Sequence, residues 1–265
     1  MIKLGFIGIG NMGGAIVKGV YGKLGNTAVF AYDSDPQKLV NLRNLGATAA
    51  NNITDIAHKC DYLLIAVKPQ QLDEVLAQIK TAANENVVMI SICAGISAEY
   101  IRARTFPKAK VVLVMPNTPM MLGAGASAMS RDDTVSDKEF AFARKVIGAC
   151  GITEVIPEDK MKEVIAINGS SPAFIYVYAL GFVQYAEKVG IDRDAALRLF
   201  AQSLIGSAKM LTESGMAIEE LIKQVSSPGG TTIAGLEKLS EGKLTEVAIQ
   251  ACEACTKRAY ELGKE

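Results

Sequence analysis

The stretch Lys3-Leu4-Gly5-Phe6-Ile7-Gly8-Ile9-Gly10-Asn11-Met12-Gly13 carries the pattern G-x-G-x-x-G. It follows an apolar run typical of a buried strand and opens an amphipathic segment typical of a helix. In this setting Gly8 makes the tight turn, Gly10 admits a pyrophosphate to the backbone, and Gly13 lets helix and strand pack closely. The helix N-terminus around Asn11 and Met12 supplies N–H groups to the phosphates. The stretch therefore predicts the first βα unit of a dinucleotide-binding fold, and a glycine-rich turn without a ligand is the alternative.

A carboxylate follows at the position that usually reads the ribose. Asp33 lies twenty residues after Gly13, at the end of the second predicted strand. A carboxylate there accepts hydrogen bonds from the ribose hydroxyls and repels a 2′-phosphate, which favours NADH. The alternative is that Asp33 turns away and Ser34 bonds a phosphate. No arginine lies between residues 33 and 42, and Lys38 is the nearest cation.

The N-terminal part of the chain alternates short apolar runs with amphipathic segments, which is typical of a parallel sheet covered by helices on both faces. Helix starts are marked by Asp35-Pro36 and by the capping box Ser136-x-x-Glu139. These signals predict a doubly wound α/β Rossmann domain over residues 1–157. The predicted strands are Lys3–Ile7, Ala28–Tyr32, Tyr62–Ala66, Val87–Ile92 and Val111–Met115.

After Pro157 the strand-like runs disappear, and the pattern predicts an all-helical C-terminal domain over residues 158–265. Its helices are expected at about 158–188, 193–213, 217–225, 231–240 and 243–263, with Asp192 as a cap. The uncharged stretch Val164–Ala186 is long enough to span a membrane, but it contains Pro172 and several polar residues. We therefore expect a helix buried inside protein and packed against another subunit.

Composition excludes several classes of protein. The 28 basic and 28 acidic residues balance, and the chain has no basic stripe that would bind nucleic acid. Five scattered cysteines indicate reduced thiols in a cytoplasmic protein. Cys252 and Cys255 form a C-x-x-C, but they fall on or beside an apolar helical stripe and are interpreted as core residues rather than metal ligands. With His58 as the only histidine, zinc sites and catalytic triads are improbable.

Four further segments make the chain similar to a known family from end to end. Together with the glycine fingerprint, they resemble the motifs of the pyrroline-5-carboxylate reductases, and the last one is the most specific. The resemblance implies reduction of the C=N bond of 1-pyrroline-5-carboxylate to L-proline by hydride transfer from NADPH or NADH, the last step of proline biosynthesis. The segments are Ala66-Val67-Lys68-Pro69-Gln70, Val114-Met115-Pro116-Asn117-Thr118-Pro119, Gly169-Ser170-Ser171-Pro172-Ala173-Phe174 and Val225-Ser226-Ser227-Pro228-Gly229-Gly230-Thr231-Thr232-Ile233-Ala234-Gly235-Leu236.

The resemblance also implies roles for individual residues. Thr232 looks like the catalytic hydroxyl that donates to the ring nitrogen, and the cradle for the substrate carboxylate is implied at Ser227, Gly229, Gly230 and Thr231. Such a cradle is physically reasonable, because glycines expose consecutive N–H groups and a helix start adds its dipole. The implied assembly is a homo-oligomer, at least a dimer and up to a ring of dimers. The expected cofactor-binding residues are Gly8, Gly10, Asn11, Met12, Asp33, Asn52, Ala66, Val67, Lys68, Pro69, Ala94, Gly95 and Asn117.

The chain departs from the family pattern at three positions. Leu113 stands where the family commonly has arginine, and Ser171 and Phe174 stand where it often has glycine and tyrosine. A reductase of a related cyclic imine is therefore an alternative. A β-hydroxyacid dehydrogenase is disfavoured, because it needs a lysine in the interdomain helix and none lies between Lys162 and Lys188. A non-catalytic nucleotide-binding protein is disfavoured by the intact Ser-Pro-Gly-Gly segment.

Overall fold

The computed structural model describes residues 1–44 and 46–262, which divide into two units. The first unit comprises residues 1–170 together with the chain from Cys255 onward, and the second comprises Ser171–Ala254. The last strand ends at Val155, and the rest of the described chain is helical apart from turns and connecting segments.

A single sheet organises the first unit. Over the described residues its order is β3-β2-β1-β4-β5-β6-β7-β8, and strands β1 to β6 are mutually parallel. The chain crosses from β3 at one edge to β4, which pairs with β1, and this reversal of strand order confirms the predicted doubly wound Rossmann fold. The strands are β1 Ile2–Ile7, β2 Thr27–Tyr32, β3 Thr48–Ala49, β4 Tyr62–Ile65, β5 Val88–Ser91, β6 Lys110–Met115, β7 Gly125–Arg131 and β8 Gly151–Val155.

The sheet extends beyond the five predicted strands, and one of its added strand pairs is antiparallel. Strand β7 runs antiparallel to β6, and β8 runs parallel to β7. Neither strand was predicted, nor was the two-residue β3. Strand β7 reads Gly-Ala-Ser-Ala-Met-Ser-Arg, whose small side chains lack the β-branched and aromatic residues that mark a strand in sequence. Strand β8 lies at the sheet edge and is largely exposed, so it has no continuous apolar run.

Helices cover both faces of this sheet. Helices α1 and α6 pack with one apolar cluster, and α3, α4 and α5 pack with a second cluster on the opposite face. The predicted caps are confirmed: Asp35 accepts from the Gln37 N–H, and Ser136 and Glu139 form a reciprocal capping box. The helices are α1 Asn11–Val20, α2 Pro36–Arg43, α3 Ile53–Lys59, α4 Pro69–Ala82, α5 Ala98–Arg104 and α6 Asp137–Gly148, with a 3₁₀ turn at Thr118–Leu122.

The continuous helix predicted over 158–188 is instead interrupted. A 3₁₀ turn at Glu158–Lys160 is followed by a π-helix at Ile165–Ser170, and α7 begins only at Ser171. Pro172 accounts for the change of helix type directly before α7, because a proline lacks the N–H that an interior α-helical hydrogen bond requires and is tolerated in a first turn. The remaining helices are α7 Ser171–Lys188, α8 Arg193–Glu213, α9 Ile218–Gln224, α10 Thr231–Glu241 and α11 Leu244–Leu262. Asp192 caps α8 as predicted, and the predicted end of α11 at residue 263 lies outside the described residues.

The uncharged helix is exposed in the single chain. By length and composition the segment Ile165–Lys188 is apolar enough to cross a membrane. Only 17% of the residues in its most apolar 18-residue stretch are buried. Val177 is 72% exposed, and Tyr176 and Tyr185 are similarly open. The single chain therefore does not bury this helix, and its packing against another subunit stays a prediction. The predicted core stripe of α11 is also open, since Leu244 and Val247 are exposed.

Candidate functional site

The carboxyl ends of β1, β2 and β4 surround a cavity of about 370 Å³. This is the edge at which doubly wound folds bind their ligands. The cavity brings together six of the predicted cofactor residues, namely Gly8, Gly10, Asp33, Ala66, Val67 and Lys68. Its walls also include Ser34, which the sequence offered as an alternative phosphate ligand, and Lys38, the nearest cation. Tyr32, Ile53 and Gln71 line it as well, and the motif analysis did not assign them as binding residues.

The three fingerprint glycines have different reasons to be glycine. Gly8 has φ +88°, and a Cβ there would lie 2.5 Å from the Ala66 carbonyl oxygen. A Cβ at Gly13 would overlap the Gly8 carbonyl oxygen. At Gly10, in contrast, a Cβ would meet no atom within 4 Å among the described residues. The fold itself therefore requires Gly8 and Gly13, whereas the space at Gly10 is available to a ligand that approaches the backbone.

The start of α1 fits the phosphates of a dinucleotide. Gly10 is the N-cap, and in this described part of the chain no side chain caps it and no acidic residue lies in the first turn. The first N–H groups of a helix lack intrahelical partners, and the helix dipole makes this end positive. Uncapped N–H groups beside an open cavity are suited to a pyrophosphate.

The Asp33 carboxylate is engaged by the protein itself. Its Oδ2 accepts from the Ile9 N–H at 2.8 Å, and its Oδ1 accepts from the Asp35 N–H at 2.9 Å and from Lys38 Nζ at 3.1 Å. Burial acts to raise the pKa of Asp33, but the two backbone hydrogen bonds and the Lys38 ammonium outweigh it and leave the pKa below its ordinary value. Asp33 is thus an ionised group that holds the glycine loop.

Ala94 and Gly95 line a second, smaller cavity of about 60 Å³ at the ends of β5 and β6. Cys93, Met115, Glu158 and Lys162 share this cavity. Burial raises the pKa of the Cys93 thiol, so this group stays neutral and is not an activated nucleophile. Glu158 and Lys162 lie in a tract predicted as plain helix, and no sequence signal distinguished them.

The other predicted cofactor residues have identifiable structural contacts. Asn52 is the N-cap of α3, where its Oδ1 accepts from the Asp55 N–H at 2.7 Å. Asn117 accepts from the Ala126 N–H at 2.9 Å. Pro69 occupies the first turn of α4. Among the described residues, neither these three nor Asn11 and Met12 line either cavity, and their cofactor roles remain predictions.

Sequence reasoning did not identify Asn168. This residue lies in the π-helix, is 9% exposed, and donates through Nδ2 to the carbonyls of Met115 at 2.7 Å and Ala126 at 2.9 Å. Its Oδ1 is buried and has no hydrogen-bond partner in the described chain. Asn168 therefore fastens the π-helix to the ends of β6 and β7, and π-helical segments frequently occur at functional sites. An asparagine inside an uncharged stretch, directly before Gly169, was the available signal.

The Ser-Pro-Gly-Gly segment forms a turn that leads into α10. Gly229 has φ +72°, the Gly230 N–H donates to the Ser227 carbonyl at 2.9 Å, and a Cβ at Gly230 would lie 2.6 Å from Ser227 Oγ. Gly230 is the N-cap of α10; within this described segment it has no side-chain cap, and the first turn has no acidic residue. Thr231 and Thr232 follow on the exposed first turn. This geometry suits a small carboxylate.

Known proteins match both parts of the chain. A family model for pyrroline-5-carboxylate reductase dimerisation matches residues 158–262, and a model for NADP oxidoreductase, coenzyme F420-dependent, matches residues 3–95. Pyrroline-5-carboxylate reductase 3 of Bos taurus is 33% identical over 99% of this chain and 86% of its own length.

Two solved structures are similar over their full length. The Plasmodium falciparum pyrroline carboxylate reductase with NADP bound has a TM-score of 0.87 at 28% identity and covers 99% of this chain and 98% of its own. A pyrroline-5-carboxylate reductase from Coxiella burnetii has a TM-score of 0.92 at 29% identity and covers 98% and 97%. With these matches and the motifs above, the chain belongs to the pyrroline-5-carboxylate reductase family.

Proposed function

We propose that this chain reduces the C=N bond of 1-pyrroline-5-carboxylate to give L-proline, with NADPH or NADH as hydride donor, as the last step of proline biosynthesis. The observation that carries the proposal is the pair of uncapped helix starts, at Gly10 and at Gly230, in a member of this family. The first is suited to a pyrophosphate and the second to a small carboxylate. A nucleotide-binding protein without chemistry would have no use for the second.

The chemistry divides between cofactor and chain. When bound, the reduced nicotinamide supplies the hydride that the imine carbon accepts. The substrate carboxylate is held at the turn formed by Ser227, Gly229, Gly230 and Thr231. The Gly230 N–H donates to the Ser227 carbonyl and shapes this turn, so the Gly229 and Thr231 N–H groups and the Ser227 hydroxyl serve as donors to the carboxylate. The Thr232 hydroxyl donates a hydrogen bond to the ring nitrogen as that nitrogen gains electron density. Because a cyclic imine is basic enough to arrive partly protonated, orientation supplies a large part of the rate.

The cofactor site is proposed along the glycine loop and the strand ends. Gly8, Gly10 and the α1 start at Asn11 and Met12 take the pyrophosphate, and the remaining residues line the path to the adenosine and nicotinamide ends. Six of the predicted cofactor residues border the larger cavity and two border the smaller one. The residues proposed for the path to the adenosine and nicotinamide ends are Asp33, Asn52, Ala66, Val67, Lys68, Pro69, Ala94, Gly95 and Asn117.

The protein acts as a homo-oligomer, at least a dimer, and a ring of dimers is proposed as the larger form. The match to a dimerisation family over residues 158–262 and the exposed apolar surface of α7 support this assembly. A second copy that covers α7 removes the need for a membrane as its environment. The five cysteines of the described chain are free, which supports the cytoplasm as the compartment.

A related cyclic imine is the second candidate substrate. Ser171 and Phe174 differ from the glycine and tyrosine common in the family motif, and they stand at the start of α7. Phe174 lacks a hydroxyl and Ser171 adds bulk. Both changes alter the shape and hydrogen bonding that a substrate would meet if this motif contacts it.

The test is oxidation of NADPH and NADH, measured side by side at neutral pH with 1-pyrroline-5-carboxylate. Rapid turnover supports the proposed reaction. Tight nucleotide binding without turnover on this substrate, followed by turnover on another cyclic imine, supports the second candidate. Binding without turnover on any cyclic imine contradicts both and leaves a nucleotide-binding protein without this chemistry.

Thr232→Ala provides the matched test of mechanism. We expect about a 10- to 100-fold lower kcat with nucleotide affinity unchanged, since a hydrogen bond to a group that gains charge contributes about 1.5–3 kcal/mol. Thr232→Ser, which keeps the hydroxyl, should retain turnover within a few-fold. Full activity of the alanine variant would remove Thr232 from the mechanism.

A further inference from the structure

Strand β7 extends past the end of β6 at one edge of the sheet. The last pair of the β6–β7 ladder joins Met115 to Ala128, and the chain then leaves β6 at Pro116, which has no N–H. On the other side of β7 the Gly125 N–H donates to a carbonyl directly before β8. Because successive residues of a strand alternate between its two neighbours, the N–H and C=O of Ala126 face the β6 side, where the ladder has ended.

Two asparagine side chains take the place of the missing ladder partners. The Ala126 N–H donates to Asn117 Oδ1 at 2.9 Å, and Asn168 Nδ2 donates to the Ala126 carbonyl at 2.9 Å. The same nitrogen of Asn168 donates to the Met115 carbonyl at 2.7 Å. The two hydrogens of an amide nitrogen lie at a fixed angle, so Asn168 sets the place of Ala126 relative to the end of β6.

The third polar position of the Asn168 amide is left unsatisfied. Its Oδ1 is buried and has no hydrogen-bond partner in the part of the chain that the structure describes. An unpaired buried acceptor lowers the stability of the folded state. A serine hydroxyl would avoid that cost, but it donates only once. What the asparagine adds at position 168 is therefore the fixed geometry of two donations.

The Asn117 amide depends on this geometry. Its Oδ1 is bound by Ala126, and its Nδ2 has no hydrogen-bond partner among the described residues, so one donor is left for a ligand. Resting on the cofactor role given to Asn117 under the proposed function, we infer that Asn168 is a positioning residue. It acts through Ala126 to aim the Asn117 Nδ2 at the bound cofactor. Asn168 makes no contact with the cofactor itself, because it is 9% exposed and both of its amide hydrogens are used within the protein.

The test is a double-mutant cycle on the full-length protein, with the dissociation constant of NADPH measured by its fluorescence. Asn117→Ala should weaken binding about tenfold and Asn168→Ala about fivefold, which is the scale of one lost or misdirected hydrogen bond. The double variant should bind within about twofold of Asn117→Ala, because Asn168 then has no donor left to position. A purely structural role would instead multiply the two losses, to about 50-fold.

Two further variants separate positioning from stability. Thr105→Val is the matched control: Thr105 is 3% exposed, and its hydroxyl donates to the Ile101 carbonyl at 2.7 Å at the end of α5. The control loses a buried hydrogen bond in the same unit and should keep the NADPH affinity of the unmodified protein. Asn168→Ser keeps one donor and replaces Asn168→Ala in the cycle if the alanine variant does not fold.

Every outcome decides the inference. Losses that multiply in the double variant overturn it, and so does an NADPH affinity of the position-168 variant within about twofold of the unmodified protein. If the unmodified protein binds NADPH but does not reduce 1-pyrroline-5-carboxylate, the proposed reaction fails while the cycle still decides the role of Asn168. If the unmodified protein binds no nicotinamide nucleotide, both fail, since Asn117 then has no cofactor to hold.

Discussion

Replacing Gly10 with alanine should abolish tight nucleotide binding and leave the fold intact. Gly10 has φ −63° and ψ −160°, a conformation that alanine adopts, and its Cβ would meet no described atom within 4 Å. Alanine is a poorer N-cap by about 0.5–1 kcal/mol, but it also restricts the unfolded chain, which offsets about 0.4–1 kcal/mol. The free energy of unfolding should therefore change by less than about 0.5 kcal/mol. The new methyl group occupies the space through which the pyrophosphate reaches the backbone.

The expected loss of binding follows from the contacts that this methyl group excludes. Hydrogen bonds to charged groups contribute about 1.5–3 kcal/mol each, so losing one or two at the helix start raises the dissociation constant for the nucleotide by about 100-fold. Gly13→Ala is the matched comparison, because its Cβ overlaps the backbone carbonyl oxygen of Gly8. Overpacking of this kind costs about 1–3 kcal/mol, so its melting temperature should fall by about 5 °C.

The assay combines thermal unfolding of the ligand-free protein with NADPH titration by fluorescence. We predict that Gly10→Ala melts at the temperature of the unmodified protein and binds NADPH about 100-fold more weakly. Gly13→Ala should melt at a lower temperature. NADPH affinity within threefold of the unmodified protein in Gly10→Ala would refute the assignment of this glycine to ligand approach. A large drop in melting temperature for the same variant would refute the claim that the fold does not require it.

Three further predictions concern stability and assembly. Asn168→Ala leaves two part-buried carbonyls without their side-chain donor and should lower the free energy of unfolding by about 1–3 kcal/mol in urea titrations; a loss below about 0.5 kcal/mol would contradict this. Burial acts to raise the pKa of Glu139, but the Lys110 ammonium and the capping-box hydrogen bonds outweigh it and leave the pKa below its ordinary value. The ionised carboxylate therefore stabilises the fold fully above about pH 4.5. This stabilisation is lost as the pH falls through the lowered pKa of the folded state. Glu139→Gln should therefore flatten the acid side of a pH–melting curve, and an unchanged curve would exclude this contribution. Val177→Asp should dissociate the oligomer in sedimentation, and unchanged sedimentation would place this residue outside the interface.

The sequence determined the parts of the fold whose signals are local. The turn at Gly8, the caps at Asp35 and Ser136, and the break before α10 each depend on residues within a few positions of one another. Such signals act through backbone conformation and short-range hydrogen bonds, so they are present before the chain folds. Buried parallel strands were equally readable, because burial on both faces makes them continuously apolar.

The direction of β7 and the interruption before α7 were not determined locally. Strand β7 is rich in small residues that carry no strand signal, and its antiparallel pairing with β6 is visible only in the folded sheet. The π-helix is held by Asn168, whose two acceptors lie 53 and 42 residues earlier in the chain. No window of neighbouring residues contains both partners, and for that reason the periodicity predicted an uninterrupted helix.

Asp33 shows the same division within one residue. Its spacing from the glycine fingerprint predicts a place in the nucleotide site, and in the structure it lines the cavity at the strand ends. Which donors its oxygens accept was decided only when the fold brought the Ile9 N–H, 24 residues away, to 2.8 Å. Sequence fixes which groups are available, but a hydrogen bond goes to whichever partner the tertiary structure brings within reach, because its energy falls steeply with distance and angle.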